Sequence, residues 1–542
     1  MVVFEDLYRD SRLIATHTEI QDKEQTVYIP KIGTKASDIL GGNDMYADEK
    51  VTIVDVVSYS NLNAGEEYRL KGILMDKSTG SPLLVKGHEV TAEKTFIAES
   101  SNGTVDLAFN FDASELKGAT VVVFEELYSG DKKVAAHAEI EDEGQTIYIP
   151  EIGTKASDIL GGNDIFADEE VTILDVVSYS NLSAGEEYKL KGILMDKSTG
   201  SPLLSKGQEV TAEKTFVAET THGEASLEFT FDAIELRGAT IVVFEELYRG
   251  DKKVAAHAEI EDLDQTIYIP KIHTWATGLN GSKNIYAGEG VTIVDVVSYS
   301  NLITGKEYTV KGLLMNKDTN LPLLPGGNEV TAEKTFVAGT PDGKIDLEFT
   351  FSASELKGAT IVVFENLYNG EKLVATHSAI DDAQQTVYIP KISTTATSAN
   401  GAKDVAPNAE SKIVDKIEYS NLVPGTKYFV KGSLIDRLTN KLIASAEKTF
   451  VAESSEGFVE LVFTFDASKY AGKEVVVFEE IYEGEHLVAT HADLEDKAQT
   501  VKVNLAKLPG TGSQKSINYQ LSGTVLLLIG LLLLKKKRNR RY

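Results

Sequence analysis

The sequence contains no cysteine, which excludes disulfide bonds, thiolate metal sites and cysteine nucleophiles. If the protein works outside the cell, some feature other than disulfide bonds must stabilise its fold. Basic residues are also in the minority, with 54 Lys and Arg against 83 Asp and Glu and a formal net charge of −29. This balance argues against a nucleic-acid partner, because phosphate binding depends mainly on Lys and Arg.

No signal peptide is visible at the start of the sequence. Met1 is followed by VVFEDLY, which offers no basic n-region, no apolar h-region and no small-residue cleavage site. Because residues 1–30 correspond to the last part of a repeat defined below, we expect the chain to begin inside a repeat and the natural protein to be longer. The composition, 42% hydrophobic and 25% charged, excludes a disordered tail, a collagen-like fibre and a polytopic membrane protein.

One block, ATHTEIQDKEQTVYIPKIGT in its first copy, recurs along the chain. Its histidine falls at positions 17, 137, 257, 377 and 491, so the period is 120 residues three times and then 114. A period of this length matches whole domains and exceeds solenoid units. The shorter last interval indicates a loop deletion near residues 441–450. The resulting division is a partial repeat at 1–30, full repeats at 31–150, 151–270, 271–390 and 391–505, and a C-terminal segment at 506–542.

Within a repeat, apolar residues alternate with polar ones. The segments VTIVDVVSYS, EEYRLKGILMD, VTAEKTFIAES, TVDLAFNFD, TVVVFEELY, KVAAHAEI and QTIYIP predict strands, and no segment of similar length has a helical period. About seven short strands per domain predict an antiparallel β-sandwich of immunoglobulin-like type. The fold class is therefore all-β, a tandem array of such sandwiches. Short connections without Pro/Gly/Ser-rich linkers predict a fairly stiff rod.

Several polar residues share the phase of the apolar, inward-facing set. In the first full repeat these are Asp55, Glu125, Gln145 and Thr34, and His137 accompanies them. An unpaired buried carboxylate costs several kcal/mol, so five such residues predict a connected polar cluster. The same set recurs as Thr154, Asp175, Glu245, His257 and Gln265, then as Thr274, Asp295, Glu365, His377 and Gln385, and finally as Thr394, Asp415, Glu479, His491 and Gln499.

These side chains suggest acyl-transfer chemistry. A hydroxyl beside an imidazole held by a carboxylate is an activated nucleophile, and the carboxamide of Gln is an acyl donor. Attack of Thr on the Gln carbonyl would expel ammonia and leave an ester inside the domain, with the imidazole carrying the proton. A neutral buried acid such as Glu125 could donate a hydrogen bond to the oxyanion.

The motifs PKIGTKASD, DVVSYSNL, VVVFEELY and AAHAEIEDEGQT resemble the VaFE repeats, or T-Q ester-bond domains, of Gram-positive surface proteins over residues 1–505. The resemblance implies autocatalytic esters assisted by His and acidic residues, with Asp55 as one acid and either Glu125 or Glu93 as the second. The partial repeat keeps His17 and Gln25 but lacks the Thr segment, so no internal ester is expected there. The implied ester pairs are Thr34–Gln145, Thr154–Gln265, Thr274–Gln385 and Thr394–Gln499.

The C-terminus carries a targeting signal. It comprises LPGTG (Leu508, Pro509, Gly510, Thr511, Gly512), a polar spacer, an apolar run at 521–534 and the basic tail KKKRNRR. This combination resembles a sortase sorting signal, which implies cleavage after Thr511 and its attachment to peptidoglycan. The apolar run would span only about 21 Å as a helix, less than the hydrocarbon core of about 30 Å. It therefore favours transient membrane retention over a permanent transmembrane helix, with the cell wall as the final location.

The sequence thus predicts the stalk of a cell-wall-anchored adhesin, with single-turnover self-cross-linking and no enzymatic turnover. Its expected partners are sortase, peptidoglycan and an unknown host or surface ligand bound through a missing N-terminal region. No cofactor or metal is expected, since the acidic loop GGNDMYADEK does not fit an EF-hand.

Three alternatives remain. The first is a sortase-polymerised pilin with Lys–Asn isopeptide bonds, suggested by the YIPK segments, although the Lys at 31, 271 and 391 is replaced by Glu151 in the second repeat. The second is a hydrolase acting on external substrates, which requires an open cleft in every repeat. The third is that Thr and Gln only hydrogen bond within the core.

Overall fold

The structure is a computed structural model that describes residues 1–506. Residues 1–30 contain one exposed hairpin, Glu5–Arg9 and Arg12–His17. The first full repeat has strands Lys31–Asp38, Val51–Ser60, Glu67–Asp76, Ser81–Pro82, Leu84–Val85, His88–Glu89, Thr91–Ile97, Gly103–Phe111, Thr120–Ser129, Lys132–His137 and Thr146–Tyr148. The second has Glu151–Asp158, Val171–Ser180, Glu187–Asp196, Ser201–Pro202, Leu204–Ser205, Gln208–Glu209, Thr211–Val217, Gly223–Phe231, Thr240–Arg249, Lys252–His257 and Thr266–Tyr268.

The third and fourth repeats follow the same order. The third has Lys271–Gly278, Val291–Ser300, Glu307–Asn316, Leu321–Pro322, Thr331–Val337, Gly343–Phe351, Thr360–Asn369, Lys372–His377 and Thr386–Tyr388. The fourth has Lys391–Ser398, Asp404–Val405, Ser411–Ser420, Lys427–Asp436, Lys441–Val451, Gly457–Phe465, Glu474–Glu483, His486–His491 and Thr500–Val503. Short 3-10 helices lie at Glu143–Gln145, Ile234–Leu236, Pro325–Gly327 and Ala467–Tyr470.

Five strands of each repeat carry the site residues and are named here from the second repeat. They are the Thr strand (Glu151–Asp158), the Asp strand (Val171–Ser180), the Glu strand (Thr240–Arg249), the His strand (Lys252–His257) and the Gln strand (Thr266–Tyr268). The same names apply to the equivalent strands elsewhere.

Each full repeat contains two antiparallel sheets. In the second repeat, the Asp strand lies between the Thr strand and Gly223–Phe231 in a three-stranded sheet. The other sheet pairs the Glu strand with the His strand, the Gln strand and Glu187–Asp196. The prediction of tandem all-β domains is therefore confirmed.

The core of each repeat lies between its two sheets. Ile173 and Val177 of the Asp strand are buried with Val243 and Leu247 of the Glu strand in one apolar cluster. The sheets approach so closely at Gly192 that an added Cβ would lie 2.5 Å from the ring of Phe229. Alternation along these strands therefore fills the space between the sheets and brings any polar residue of the same phase into it.

Consecutive repeats contact each other through a loop and a hairpin. Lys252, after the hairpin turn of the second repeat, donates to the backbone oxygen of Asp44 and lies 3.2 Å from the carboxylate of Asp38 in the first repeat. Arg249 pairs with Asp44 at 2.7 Å, and the Tyr188 hydroxyl donates to the same carboxylate at 2.9 Å. Similar contacts occur at the next two boundaries, so each repeat is held by side chains as well as by the chain itself.

The described part of the chain, residues 1–506, contains no helix that is long and apolar enough to cross a membrane. The predicted sorting signal, Leu508 to Gly512, lies outside the described residues. The apolar run at 521–534, to which the sequence assigned transient membrane retention, lies outside them as well.

A buried Thr–Gln site in each repeat

The Thr strand and the segment before the Gln strand bring the predicted ester partners together in three repeats. In the second repeat, Gln265 Nε2 donates to Thr154 Oγ1 across a sequence separation of 111 residues. The same amide donates to Glu245 Oε2 at 2.6 Å. The third and fourth repeats have the equivalent contacts, Gln385 to Thr274 and Glu365, and Gln499 to Thr394 at 2.8 Å and to Glu479 at 2.5 Å.

The first full repeat differs in one contact. Gln145 Nε2 donates to Glu125 Oε1 at 2.6 Å, as in the other repeats. However, Thr34 Oγ1 is buried and has no hydrogen-bond partner among the described residues. The structure therefore places Thr34 near the site without closing its contact to the amide.

The two acids of the second repeat lie between the sheets because each faces inward from a central strand. Asp175 pairs with Ala156 of the Thr strand, whereas Glu245 pairs with His257 of the His strand. Both side chains are completely buried. Thr154, Gln265 and the two acids thus come from both sheets and meet where the sheets face each other.

Burial controls the protonation of this acid pair. Burial, reinforced by the nearby charge of Asp175, raises the pKa of Glu245 well above its ordinary range. Burial also raises the pKa of Asp175, but the neighbouring Glu245 carboxyl and the charge of His257 oppose that rise. The pair therefore retains one proton near neutral pH, and that proton resides mainly on Glu245.

The histidine is held by an acid that the sequence analysis missed. His257 Nε2 lies 2.8 Å from Asp262 Oδ2, and His137 lies 2.7 Å from Asp142. The hydrogen bond from His137 lowers the pKa of Asp142, which keeps this carboxylate ionised. Every copy repeats the arrangement, with pairs His17–Asp22, His137–Asp142, His257–Asp262, His377–Asp382 and His491–Asp496.

A sequence signal for this acid was available, since an Asp stands three residues before the Gln in every copy of the block. The half-buried imidazole of His257 makes no hydrogen bond to Thr154 or Gln265 within residues 1–506. It lies beside Glu245, its cross-strand partner. The histidine therefore lies at the edge of the site, adjacent to Glu245.

Glu93, the other candidate for the second acid, lies elsewhere. It is exposed on strand Thr91–Ile97 and forms an ion pair with Lys71 at 3.4 Å. The acid that contacts the amide of Gln145 is Glu125. The acidic loop considered for calcium contributes Asp44 to the boundary between repeats, and the described residues contain no cluster that could hold a metal ion.

The features required by the hydrolase and pilin alternatives are not found among residues 1–506, whereas the Thr–Gln hydrogen bond of the third alternative is present in three repeats. The carboxylates and the Gln amide are fully buried, whereas a hydrolase of external substrates needs an open cleft. The lysines of the YIPK segments, Lys31, Lys271 and Lys391, are exposed. Within the described part of the chain, none of their Nζ atoms hydrogen bonds to an Asn side chain.

Comparison with known families gives two matches. T-Q ester bond containing domains match residues 1–29, 30–149, 150–269, 270–389 and 390–503. The LPXTG cell wall anchor motif matches residues 500–540. No curated protein matches the sequence.

Solved structures were compared as well. An adhesin from Mobiluncus mulieris containing intramolecular disulfide, isopeptide and ester bond cross-links is 17% identical, with 46% of this chain and 88% of that chain covered and a TM-score of 0.20. Alpha-2-macroglobulin from Escherichia coli activated by porcine elastase is 10% identical, with 88% of this chain and 45% of that chain covered and a TM-score of 0.19.

Proposed function

The chain belongs to the family of T-Q ester bond containing domains, and from this premise we propose that each complete repeat closes one ester between its Thr and its Gln. The observation that carries the proposal is the contact of Gln265 Nε2 with Thr154 Oγ1 inside a buried acid pair. We take the repeats as 31–150, 151–270, 271–390 and 391–505, with four esters in all.

In the proposed reaction, Thr154 Oγ attacks the side-chain carbonyl carbon of Gln265. The hydroxyl proton passes to His257, and a tetrahedral oxyanion forms. Collapse of this intermediate breaks the C–N bond, and the proton from His257 leaves with the nitrogen as ammonia. One ester and one ammonia replace one hydroxyl and one carboxamide, so each site reacts once and there is no turnover.

Each acid has its own part in this proposal. Neutral Glu245 supplies an O–H donor for the oxyanion and holds the amide that contacts Thr154. Asp262 fixes the orientation of His257 and stabilises the imidazolium that forms during proton transfer. Exclusion of water by the closed core protects the ester from hydrolysis.

The proposed bonds suit a protein under tension. Thr154 and Gln265 lie near the two ends of their repeat, so a pull on the termini would load the ester before the sheets. Only eight residues lie between Gln145 and Thr154, so nine Cα-to-Cα steps allow at most about 32 Å of extension between neighbouring cross-links. An ester closing a loop of 111 residues would also remove roughly 4.7 kcal/mol of unfolded-state entropy.

Its C-terminal anchor makes the chain a cell-wall surface protein. The LPXTG motif implies processing by sortase and attachment to peptidoglycan. We propose that Thr511 forms the covalent link and that the repeats form the stalk of an adhesin.

Intact mass after expression of the full chain tests the ester directly. Four bonds should remove about 17 Da each, and Thr154→Ala should restore one ammonia, whereas Thr215→Ala on an exposed strand should restore none. Hydroxylamine should open the links and release the joined peptides. A Thr154→Ala protein that has lost as much ammonia as its parent would refute the bond in that repeat, and resistance to hydroxylamine would indicate an amide.

A further inference from the structure

The third and fourth repeats contain a lysine beside the site where the first two contain an asparagine. Lys283 Nζ donates to the backbone oxygen of Ala276 at 2.6 Å, two residues beyond the reacting Thr274. It also donates to the backbone oxygen of Gln384, the residue just before the reacting Gln385. One ammonium therefore ties together the two segments that carry the ester partners.

The fourth repeat has the same arrangement. Lys403 Nζ donates to the backbone oxygen of Ala396 at 2.7 Å and to that of Ala498, the residue before Gln499. Since Ala396 lies two residues after Thr394, the link spans the same two segments as in the third repeat. The recurrence in a repeat of drifted sequence indicates a conserved role within this chain.

The asparagines of the first two repeats do not make this link. Asn163 Nδ2 donates to the backbone oxygen of Thr266 at 2.9 Å and so contacts the Gln strand alone. Asn43 Oδ1 accepts from Arg249 of the next repeat at 3.0 Å and so faces the boundary between repeats. Neither amide connects the Thr strand to the segment before the Gln.

Burial of the reacting threonine residue also differs between the first two repeats and the last two. Thr274 and Thr394, in the repeats that carry the lysine, are 0% and 4% exposed. Thr34 and Thr154 are only half-buried. The threonine residues of the two lysine-linked repeats are therefore more completely buried than those of the first two repeats.

We propose that Lys283 and Lys403 are positioning residues for ester formation in the third and fourth repeats. Each ammonium bridges the Thr strand and the loop that precedes the reacting Gln, which restrains the two segments that carry the hydroxyl and the carboxamide. The proposal rests on the ester chemistry proposed above. It predicts that the two C-terminal repeats cross-link faster than the two N-terminal ones, because a prepositioned hydroxyl and carboxamide lose less entropy in reaching the transition state.

The link should weaken in alkali. Burial lowers the pKa of Lys283 to about 8, and the charges of Asp295 and Asp382 oppose that shift. His377 pairs with Asp382, and the Trp275 ring lies 4.7 Å from Nζ, so these groups complete the surroundings of the ammonium. Above about pH 8 the lysine loses its charge and its charge-assisted hydrogen bonds, and the advantage of the third repeat should decline.

Reciprocal substitutions in the full chain test this role. Unfolded, uncross-linked chains would be diluted into refolding buffers from about pH 6.5 to 9.5, quenched at intervals, digested, and assayed for each Thr–Gln linked peptide. Lys283→Asn should slow the third repeat about tenfold at neutral pH, and Asn163→Lys should accelerate the second repeat. Lys283→Arg, which remains charged, should keep the rate and remove its decline above about pH 8.

The other repeats of the same molecule and an exposed Lys344→Asn variant serve as controls. Unchanged rates in the third repeat of Lys283→Asn and in the second repeat of Asn163→Lys would overturn the positioning role while leaving the esters intact. Absence of linked peptides from every repeat of the unmodified chain would instead overturn the ester proposal itself.

Discussion

Four carboxylic groups of the first two repeats behave differently because their surroundings differ. Glu245 is fully buried beside another acid and stays protonated, whereas Asp142 accepts a hydrogen bond from His137 and stays ionised. Asp175 has a raised pKa that its neighbours partly offset. Exposed Glu93 only pairs with a lysine on the surface. Burial and hydrogen bonding, more than residue type, thus determine which of these chemically similar side chains is protonated and which is ionised.

Asp262→Asn tests whether the His–Asp pair takes part in ester formation. Asn keeps the side-chain shape and can still accept from the Asp264 backbone N–H, which donates to Asp262 at 2.8 Å. It cannot stabilise an imidazolium at His257, so cross-linking of the second repeat should slow by roughly 100-fold. The time course of the linked Thr154–Gln265 peptide measures the effect, with the other three repeats as internal references. A rate equal to that of the parent would remove this pair from the mechanism.

The protonated acid predicts how pH affects a repeat that has no ester. In Thr154→Ala, folding transfers Glu245 from its ordinary pKa of 4.5 to a raised value, so the folded state binds more protons above pH 4.5. Stability is then fully present at low pH and is lost as pH rises through the raised value. The second repeat should therefore be about 1 to 3 kcal/mol more stable near pH 5 than at pH 7. Denaturant unfolding of the Thr154→Ala chain at both pH values measures this difference.

The double variant Thr154→Ala with Glu245→Gln provides the control. The neutral amide cannot titrate, so much of the gain on acidification should disappear, and the remainder reports Asp175, whose raised pKa acts in the same direction. An identical pH dependence in both variants would mean that Glu245 is not the group holding the proton. Reduced repulsion in this acidic chain affects both variants equally and cancels in the comparison.

At the level of the strand, alternation predicted most of the site. Asp175 and Glu245 share the phase of their apolar neighbours, and the structure buries both completely between the sheets. This inference succeeds because a central strand has one inward face and its period of two is visible in the sequence. The tandem all-β arrangement could be predicted for the same reason, since every repeat shows the same alternation.

Turns and side-chain links could not be predicted in this way. Asp262 lies in the turn between the His and Gln strands, where no period identifies a face, and only its repetition beside the Gln could have marked it. Lys283 lies in a loop, and its partners are a strand of its own repeat and a segment about 100 residues later. Such contacts depend on how the sheets stack, which a local pattern does not encode.

At the level of the whole molecule, different polar side chains form the contacts at the three boundaries between full repeats. In the first, Arg249 pairs with Asp44, and in the second, Asn369 donates to Asp164 at 2.7 Å. In the third, Ser282 donates to Glu483 at 2.6 Å, so the acid now belongs to the following repeat. Each boundary therefore has its own set of contacts. The first contains an ion pair between Arg249 and Asp44, whereas at the third the neutral Ser282 hydroxyl donates to Glu483.

This difference predicts that salt and mutation affect the first boundary selectively. Arg249→Ala removes the cationic partner of the buried Asp44 carboxylate and should cost that boundary about 1.5 to 3 kcal/mol. Molar salt, which shortens the screening length to about 3 Å, should loosen the first boundary more than the third. The lack of native cysteine makes spin labels specific, so Thr95→Cys with Thr215→Cys reports the first boundary and Thr335→Cys with Thr449→Cys the third.

Pulsed dipolar distance measurements on these two label pairs test whether the first boundary loosens selectively. Arg249→Ala should broaden the Thr95–Thr215 distribution and leave the Thr335–Thr449 distribution unchanged, because the third boundary contains neither Arg249 nor Asp44. Glu483→Gln provides the converse, since it alters only the third boundary. Both distributions could instead stay narrow in every variant and at molar salt. The short backbone connections alone would then fix the relative orientation of neighbouring repeats, and these side-chain contacts would contribute nothing to the stiffness of the stalk.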